Sequence, residues 1–138
     1  MVINSFEKTV DLLHRAMDAN LVRRDVIAHN MANADVPNYK RQIVNFESEL
    51  KRALESGKTR PALELTMTDN RHIPAWRERD YRDVKPRRVL DYTTTYNNNG
   101  NNVDPEQELM GALENQMTYT LLAQAAAFEF GQVSRALR

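Results

Sequence analysis

Cysteine is absent from this sequence, and that one absence removes disulfide staples, thiolate nucleophiles and Cys-based zinc sites together. Glycine is scarce, with four in 138 residues, and none lies in a phosphate-cradling loop. No window approaches the ~20 apolar residues of a membrane-spanning helix. The first segment carries Glu7, Lys8, Asp11, Arg15 and Asp18, so a cleaved secretory signal with its apolar core is not expected. An excess of one charge is missing too. The 19 basic and 19 acidic side chains cancel, so no global field draws the chain to nucleic acid or anionic lipid.

Catalytic constellations are equally hard to find. His14, His29 and His72 are too dispersed for a zinc motif. Asp25 and His29 stand at i,i+4 without a third ligand, which fits an intrahelical pair. No nucleophile elbow or triad-like grouping occurs. The expectation is a non-enzyme with no catalytic residues, no metal, no cofactor and no small-molecule substrate.

What is present is helical patterning. Hydrophobic residues make up 41% and charged residues 28% of a chain sized for one domain. Phe6, Val10, Leu13, Met17 and Leu21 recur at spacings of four and three, the repeat of one helix face, and Ala28 and Met31 resume it after Arg23, Arg24 and Asp25. With Asn4 as N-cap and Glu7 as its capping-box partner, the pattern predicts a helix from about Ser5 to Ala32. Pro37 stops it. Proline presets φ at the second position of a type II turn, and Asn38 tolerates positive φ at the third.

A shorter helix is expected from Phe46 to Ser56, with Phe46, Leu50, Ala53 and Leu54 on one face and Gly57 to end it. Residues 58–88 hold Pro61, Pro74 and Pro86 and read as loops and short strands. Val89 to Tyr96 is β-branched and aromatic and reads as a strand, followed by an Asn-rich loop at 97–102. Asp104-Pro105-Glu106-Gln107 then supplies an N-cap, a proline at the first helical position and a Gln at the third. From there the pattern is helical to the last residue. Leu113, Met117, Leu121 and Phe128 extend one apolar stripe from Met110, and Leu122, Ala126, Phe130, Val133 and Leu137 form a second beside it.

Two stripes on a helix roughly 50 Å long offer more apolar surface than one neighbouring helix covers. The fold expected is mainly α: long N- and C-terminal helices packed as an antiparallel coiled-coil-like pair, with a short helix and a small irregular β region between them. We read residues 1–138 as a single module, with a helical core from 1–34 and 105–138. The stripe Phe6, Val10, Leu13, Met17 and Leu21 is expected to face Leu113, Met117, Leu121 and Phe128, and these nine residues are the expected assembly interface. The basic stretch from Trp76 to Arg88 is diluted by Glu78, Asp80 and Asp83, which fits a salt-bridged surface or subunit contact better than a nucleic-acid site.

The run Asn30-Met31-Ala32-Asn33-Ala34-Asp35-Val36-Pro37-Asn38-Tyr39-Lys40 resembles the signature of the bacterial flagellar rod and hook family, Asn-x-Ala-Asn followed by Thr-Pro-Gly-Tyr. Asn30, Ala32, Asn33, Pro37, Asn38 and Tyr39 carry the resemblance, with Val36 in place of threonine and Asn38 in place of glycine. Landmarks at Asn45-Phe46-Glu47, Leu65-Thr66-Met67-Thr68, Arg71-His72-Ile73, Asn99-Gly100-Asn101-Asn102-Val103-Asp104 and Glu114-Asn115-Gln116 resemble the B-type proximal rod subunits more than the sister C-type.

The resemblance implies a structural subunit of the proximal rod of the flagellar basal body. Such a subunit is exported through the flagellar type III apparatus without a cleaved signal and assembles in the periplasm. Its implied partners are copies of itself, other rod proteins and proteins at the membrane-ring and export-gate junction, without nucleic acid and without membrane insertion. Phe6 and Val10 resemble the short apolar element by which such subunits dock on the export gate, although an i,i+4 apolar pair equally serves core packing. The alternatives are the C-type rod subunit and a soluble cytoplasmic helical adaptor.

Overall fold

The sequence builds two long helices where its heptad-like spacing predicts them. In the computed structural model, which describes residues 5–57, 68–69, 71–72, 78–94 and 96–137, helix α1 spans Ser5–Ala32 and helix α3 spans Pro105–Ala136. Between them lie strand β1 (Gln42–Asn45), helix α2 (Glu47–Ser56), a 3-10 turn (Tyr81–Asp83) and strand β2 (Arg87–Leu90). The chain divides into two units, one made of 1–44 with 88–138 and the other of 45–87.

In the first unit α1 and α3 pack antiparallel. The Asn115 amide reaches the Asn20 carbonyl (3.0 Å), Asn30 reaches Glu108 (3.2 Å), and Phe6 meets Phe130 edge-on at 5.9 Å between ring centroids. Partners climb one helix as they descend the other. The start of α3 is as expected: the Asp104 carboxylate accepts from the backbone N–H groups of Glu106 and Gln107, with Pro105 at the first helical position. Gln107 does not close a capping box with Asp104, because its Oε1 accepts from Arg41 instead. The expected N-cap Asn4 lies outside the described residues.

The expectation that two stripes of large apolar residues face each other inside the subunit is not met. The fully buried positions along the helices are Ala19, Asn20, Val26 and Asn30 on α1 and Glu108, Asn115 and Ala126 on α3. These are small or polar groups, which let the helices approach closely. Leu113, Met117, Leu121 and Phe128 are instead 50%, 65%, 65% and 57% exposed. The inner face of α3 follows the neighbouring register, Glu108, Ala112, Asn115, Tyr119, Leu122 and Ala126, so part of the second stripe faces α1. On α1, Phe6, Val10, Leu13 and Met17 are half-buried beside the seam and Leu21 is exposed.

Strands β1 and β2 form a two-stranded sheet. The Asp91 N–H donates to the Arg41 carbonyl (2.9 Å), which sets the start of β1 beside the end of β2 and makes the pair antiparallel. β1 was not expected from the sequence, and β2 ends at Leu90 instead of continuing to Tyr96. Asp91 is the reason: its carboxylate accepts from the Thr93 N–H (2.9 Å) and from the hydroxyls of Thr93 (2.7 Å) and Thr94 (3.1 Å). That local turn competes with a ladder.

In the second unit, Phe46, Ala53 and Tyr81 are buried. Ser56 Oγ accepts from the Arg79 N–H (3.0 Å), and Arg79 pairs with Glu49 at 3.7 Å. Asp80 caps the 3-10 turn through the Arg82 N–H (2.9 Å), and the Arg82 guanidinium lies over the Tyr81 ring. The acidic residues of this stretch are thus interleaved with its basic ones. Trp76 and Arg77 lie outside the described residues, as do Leu65, Thr66, Met67 and Ile73. Gly57 ends α2 at φ −72° and does not use glycine's freedom to adopt positive φ.

Candidate functional site

The motif that follows α1 folds into a dense polar junction. Helix α1 has no glycine at its end, so its last carbonyls need other partners. Asn33 supplies two: its side chain donates to the His29 carbonyl (2.7 Å) and its N–H to the Asn30 carbonyl (3.1 Å). The Ala34 N–H takes the Met31 carbonyl (3.3 Å). The Tyr39 N–H then donates to the Val36 carbonyl (3.3 Å), closing a four-residue turn in which Asn38 sits at φ 60°. This is the left-handed position expected for it.

Asn30 is 1% exposed and uses its whole carboxamide. Its amide donates to the Gln42 carbonyl (2.8 Å) and to Glu108 Oε2 (3.2 Å). Its oxygen accepts from the Gln42 N–H (2.9 Å) and the Tyr39 hydroxyl (3.2 Å). One side chain therefore ties the end of α1 to the start of β1 and to the first turn of α3. Tyr39 also lies edge-on to His29. Burial, and then the nearby Glu108 charge, push its phenol above the ordinary value, which keeps it a neutral donor.

Glu108 is a carboxylate only 3% exposed on the inner face of α3. Arg41 Nη2 stands 3.2 Å from its Oε1, an ionic contact outside hydrogen-bond angles, since Oε1 has no hydrogen-bond partner. Of the motif residues, Asn30, Asn33, Asn38 and Tyr39 meet at this junction. Ala32 and Pro37 act through the backbone and are exposed. Sequence reasoning missed Arg41 and Glu108, and it marked Asn101 and Asn102 only as family landmarks without a role at this junction. The available signal was Glu108, a charge on what the spacing of Ala112, Asn115 and Leu122 marks as an inner face.

Gly100 packs against the turn at φ 82°, where an added Cβ would lie 2.5 Å from Asn38 Oδ1. The Asn38 N–H donates to the Asn99 carbonyl (3.0 Å). Asn38→Gly is expected to cost under about 1 kcal/mol and Asn38→Val at least about 1–2 kcal/mol, because a β-branched residue resists positive φ. Urea denaturation of the two variants checks this, and equal midpoints would mean that the turn is wrongly described.

The second feature is the outer face of α3. Leu109, Met110, Leu113, Met117, Leu121 and Phe128 are all at least half exposed, a continuous apolar strip of the kind that marks an interaction surface. Among the described residues, no group of three or more His, Asp and Glu side chains could hold a metal ion, and no helix is long and apolar enough to cross a membrane.

A helical hairpin locked by a polar junction and clad outside in large apolar side chains has the make-up of a structural protein with an apolar face open to a partner. The family described as "Flagella basal body rod protein" matches residues 13–40, which hold most of α1 and the whole motif. The flagellar basal body rod protein FlgB of Borreliella burgdorferi is 40% identical over 99% of this chain and 100% of its own length. That of Borrelia hermsii is 42% identical over 96% and 97%, and that of Bacillus subtilis 32% identical over 96% and 95%. The chain belongs to the FlgB family of flagellar basal body rod proteins. It is a structural subunit of the rod, and the family is not one of enzymes.

Proposed function

We propose that this chain builds the proximal part of the rod, polymerising through its terminal helices with copies of itself and with sister rod subunits to help form the drive shaft. The observation that carries this reading is the outward face of α3, where Leu113, Met117, Leu121 and Phe128 stand exposed. Fully burying each such side chain contributes about 1.5–3 kcal/mol, so neighbouring subunits that cover the strip gain a large apolar term. The nine stripe residues divide accordingly. Those of α3 serve contacts between subunits, Phe6, Val10, Leu13 and Met17 flank the seam within one, and Leu21 is exposed on α1.

In this reading the chain leaves the cytoplasm through the flagellar type III apparatus without a cleaved signal, meets proteins at the membrane-ring and export-gate junction, and assembles in the periplasm. Phe6 and Val10 act as the gate-docking pair before the hairpin closes, because Phe6 packs on Phe130 once it has. The two units serve as one rod-subunit module. Cell fractionation tests the proposal: the intact, uncleaved chain is expected in purified basal bodies and is expected to stay in the cytoplasm when the export apparatus is disabled. A cytoplasmic location in cells with working flagella would favour the adaptor alternative.

A further inference from the structure

The 97–103 loop reaches across the fold to the end of α1. Asn101 is fully buried, at 0% exposure, and its side-chain amide lies 3.0 Å from the carbonyl of Asn33, 2.8 Å from that of Ala34 and 2.9 Å from that of Val36. Its side-chain oxygen accepts from the Val103 N–H (2.7 Å), two residues before α3 begins. Asn102 works on the other side: its oxygen accepts from the Arg41 N–H (2.6 Å) and its amide donates to the Asp91 carbonyl (2.7 Å). Lys40 Nζ donates to the Gly100 carbonyl (2.7 Å).

We infer that Asn101 is the positioning residue that fixes the direction in which the chain leaves α1, acting as a long-range clamp on the turn that follows the helix. The last carbonyls of α1 itself are served locally by Asn33 and Ala34, and those of the following turn are left to find other donors. Here the carbonyls of the turn receive donors from a side chain more than sixty residues away. The geometry needs two N–H hydrogens shared among three acceptors and one acceptor for Val103, all on a two-carbon reach. Only asparagine carries that set. Aspartate keeps the acceptor and turns the donors into a charged oxygen facing three carbonyls. Alanine leaves the carbonyls and the Val103 N–H unpaired in a buried site. The α1 exit and the α3 start are thereby held to each other, so the elbow is rigid rather than hinged. This inference concerns the free chain and stands whether or not the assembly proposed above is correct.

The absence of native cysteine allows paired nitroxide labels at exposed positions of the full chain. One pair, Arg24 and Ile43, spans the elbow, and a second, Arg24 and Gln116, spans only α1 and α3. In Asn101→Asp and Asn101→Ala the Arg24–Ile43 distance distribution is expected to widen about twofold or more while Arg24–Gln116 keeps its width, and the Asn38 amide is expected to exchange at least about tenfold faster. Asn115→Ala removes another buried inter-element bond, to the Asn20 carbonyl. It is expected to lower the melting temperature without widening the elbow distances. An unchanged Arg24–Ile43 distribution in both Asn101 variants, or equal widening of both label pairs, or widening in Asn115→Ala to the same extent, would overturn the assignment.

Discussion

Leu121→Asp is expected to leave the isolated chain folded and to abolish its incorporation into rods. Leu121 is 65% exposed on the outer face of α3, and substitutions at such positions change monomer stability by no more than about 0.5 kcal/mol. With the strip covered in the rod as proposed, the variant loses about 1.5–3 kcal/mol of apolar burial and forces a carboxylate into a dry contact, which costs several kcal/mol more. The effect repeats at every subunit. Leu122, one residue on, is half-buried on the inner face, and Leu122→Asp is expected to destabilise the hairpin itself. Arg87→Ala removes an exposed charge worth about 0–1 kcal/mol and is expected to assemble. Thermal melts of purified chains, paired with rods counted in membrane preparations, separate these cases. Normal rods from Leu121→Asp together with their loss in Arg87→Ala would move the interface from the apolar strip to the charged stretch.

The second large effect is expected at the buried ion pair. Arg41→Met leaves the Glu108 carboxylate enclosed, with the Asn30 amide as its remaining close donor, and breaking a buried pair from one side costs about 3–5 kcal/mol. Replacing both partners, as in Arg41→Met with Glu108→Leu, is expected to recover most of that loss, because no uncompensated charge remains. The midpoint of urea unfolding is the measurement. A single variant as stable as the parent would show that Glu108 reaches water by local opening and that the junction is looser than its geometry implies.

Both experiments turn on a register that the apolar pattern did not settle. The spacing of Phe6, Val10, Leu13, Met17 and Leu21 and that of Leu113, Met117, Leu121 and Phe128 correctly marked long helices, and α1 ends at Ala32, where its end was expected. The same spacing leaves two adjacent apolar faces on α3, and the expected inner face, that of Leu113, Met117, Leu121 and Phe128, is the one the structure leaves exposed. The stripe of Leu113, Met117, Leu121 and Phe128 stands exposed, and the buried seam holds Ala19, Asn20, Val26, Asn30, Glu108, Asn115 and Ala126. Hydrophobicity ranks faces by how much they gain on leaving water and carries no record of which partner covers them.

The sequence by itself determined the elements governed by neighbours along the chain. Asp104 and Pro105 start α3, Pro37 stops continued helix, and Asn38 takes the positive φ that its turn requires, because capping and turn geometry act over three or four residues. The family motif was legible for the same reason, being a contiguous run. Only the tertiary structure decided what the 97–102 loop does. Its asparagines read as a loop that ends a strand, yet Asn101 and Asn102 are among the most buried of the described residues. Their partners at 33–36, 41 and 91 are brought close by the antiparallel packing of α1 on α3 and by the β1–β2 pair. A side-chain amide bonds whatever carbonyl the fold presents to it, and that choice is made in space.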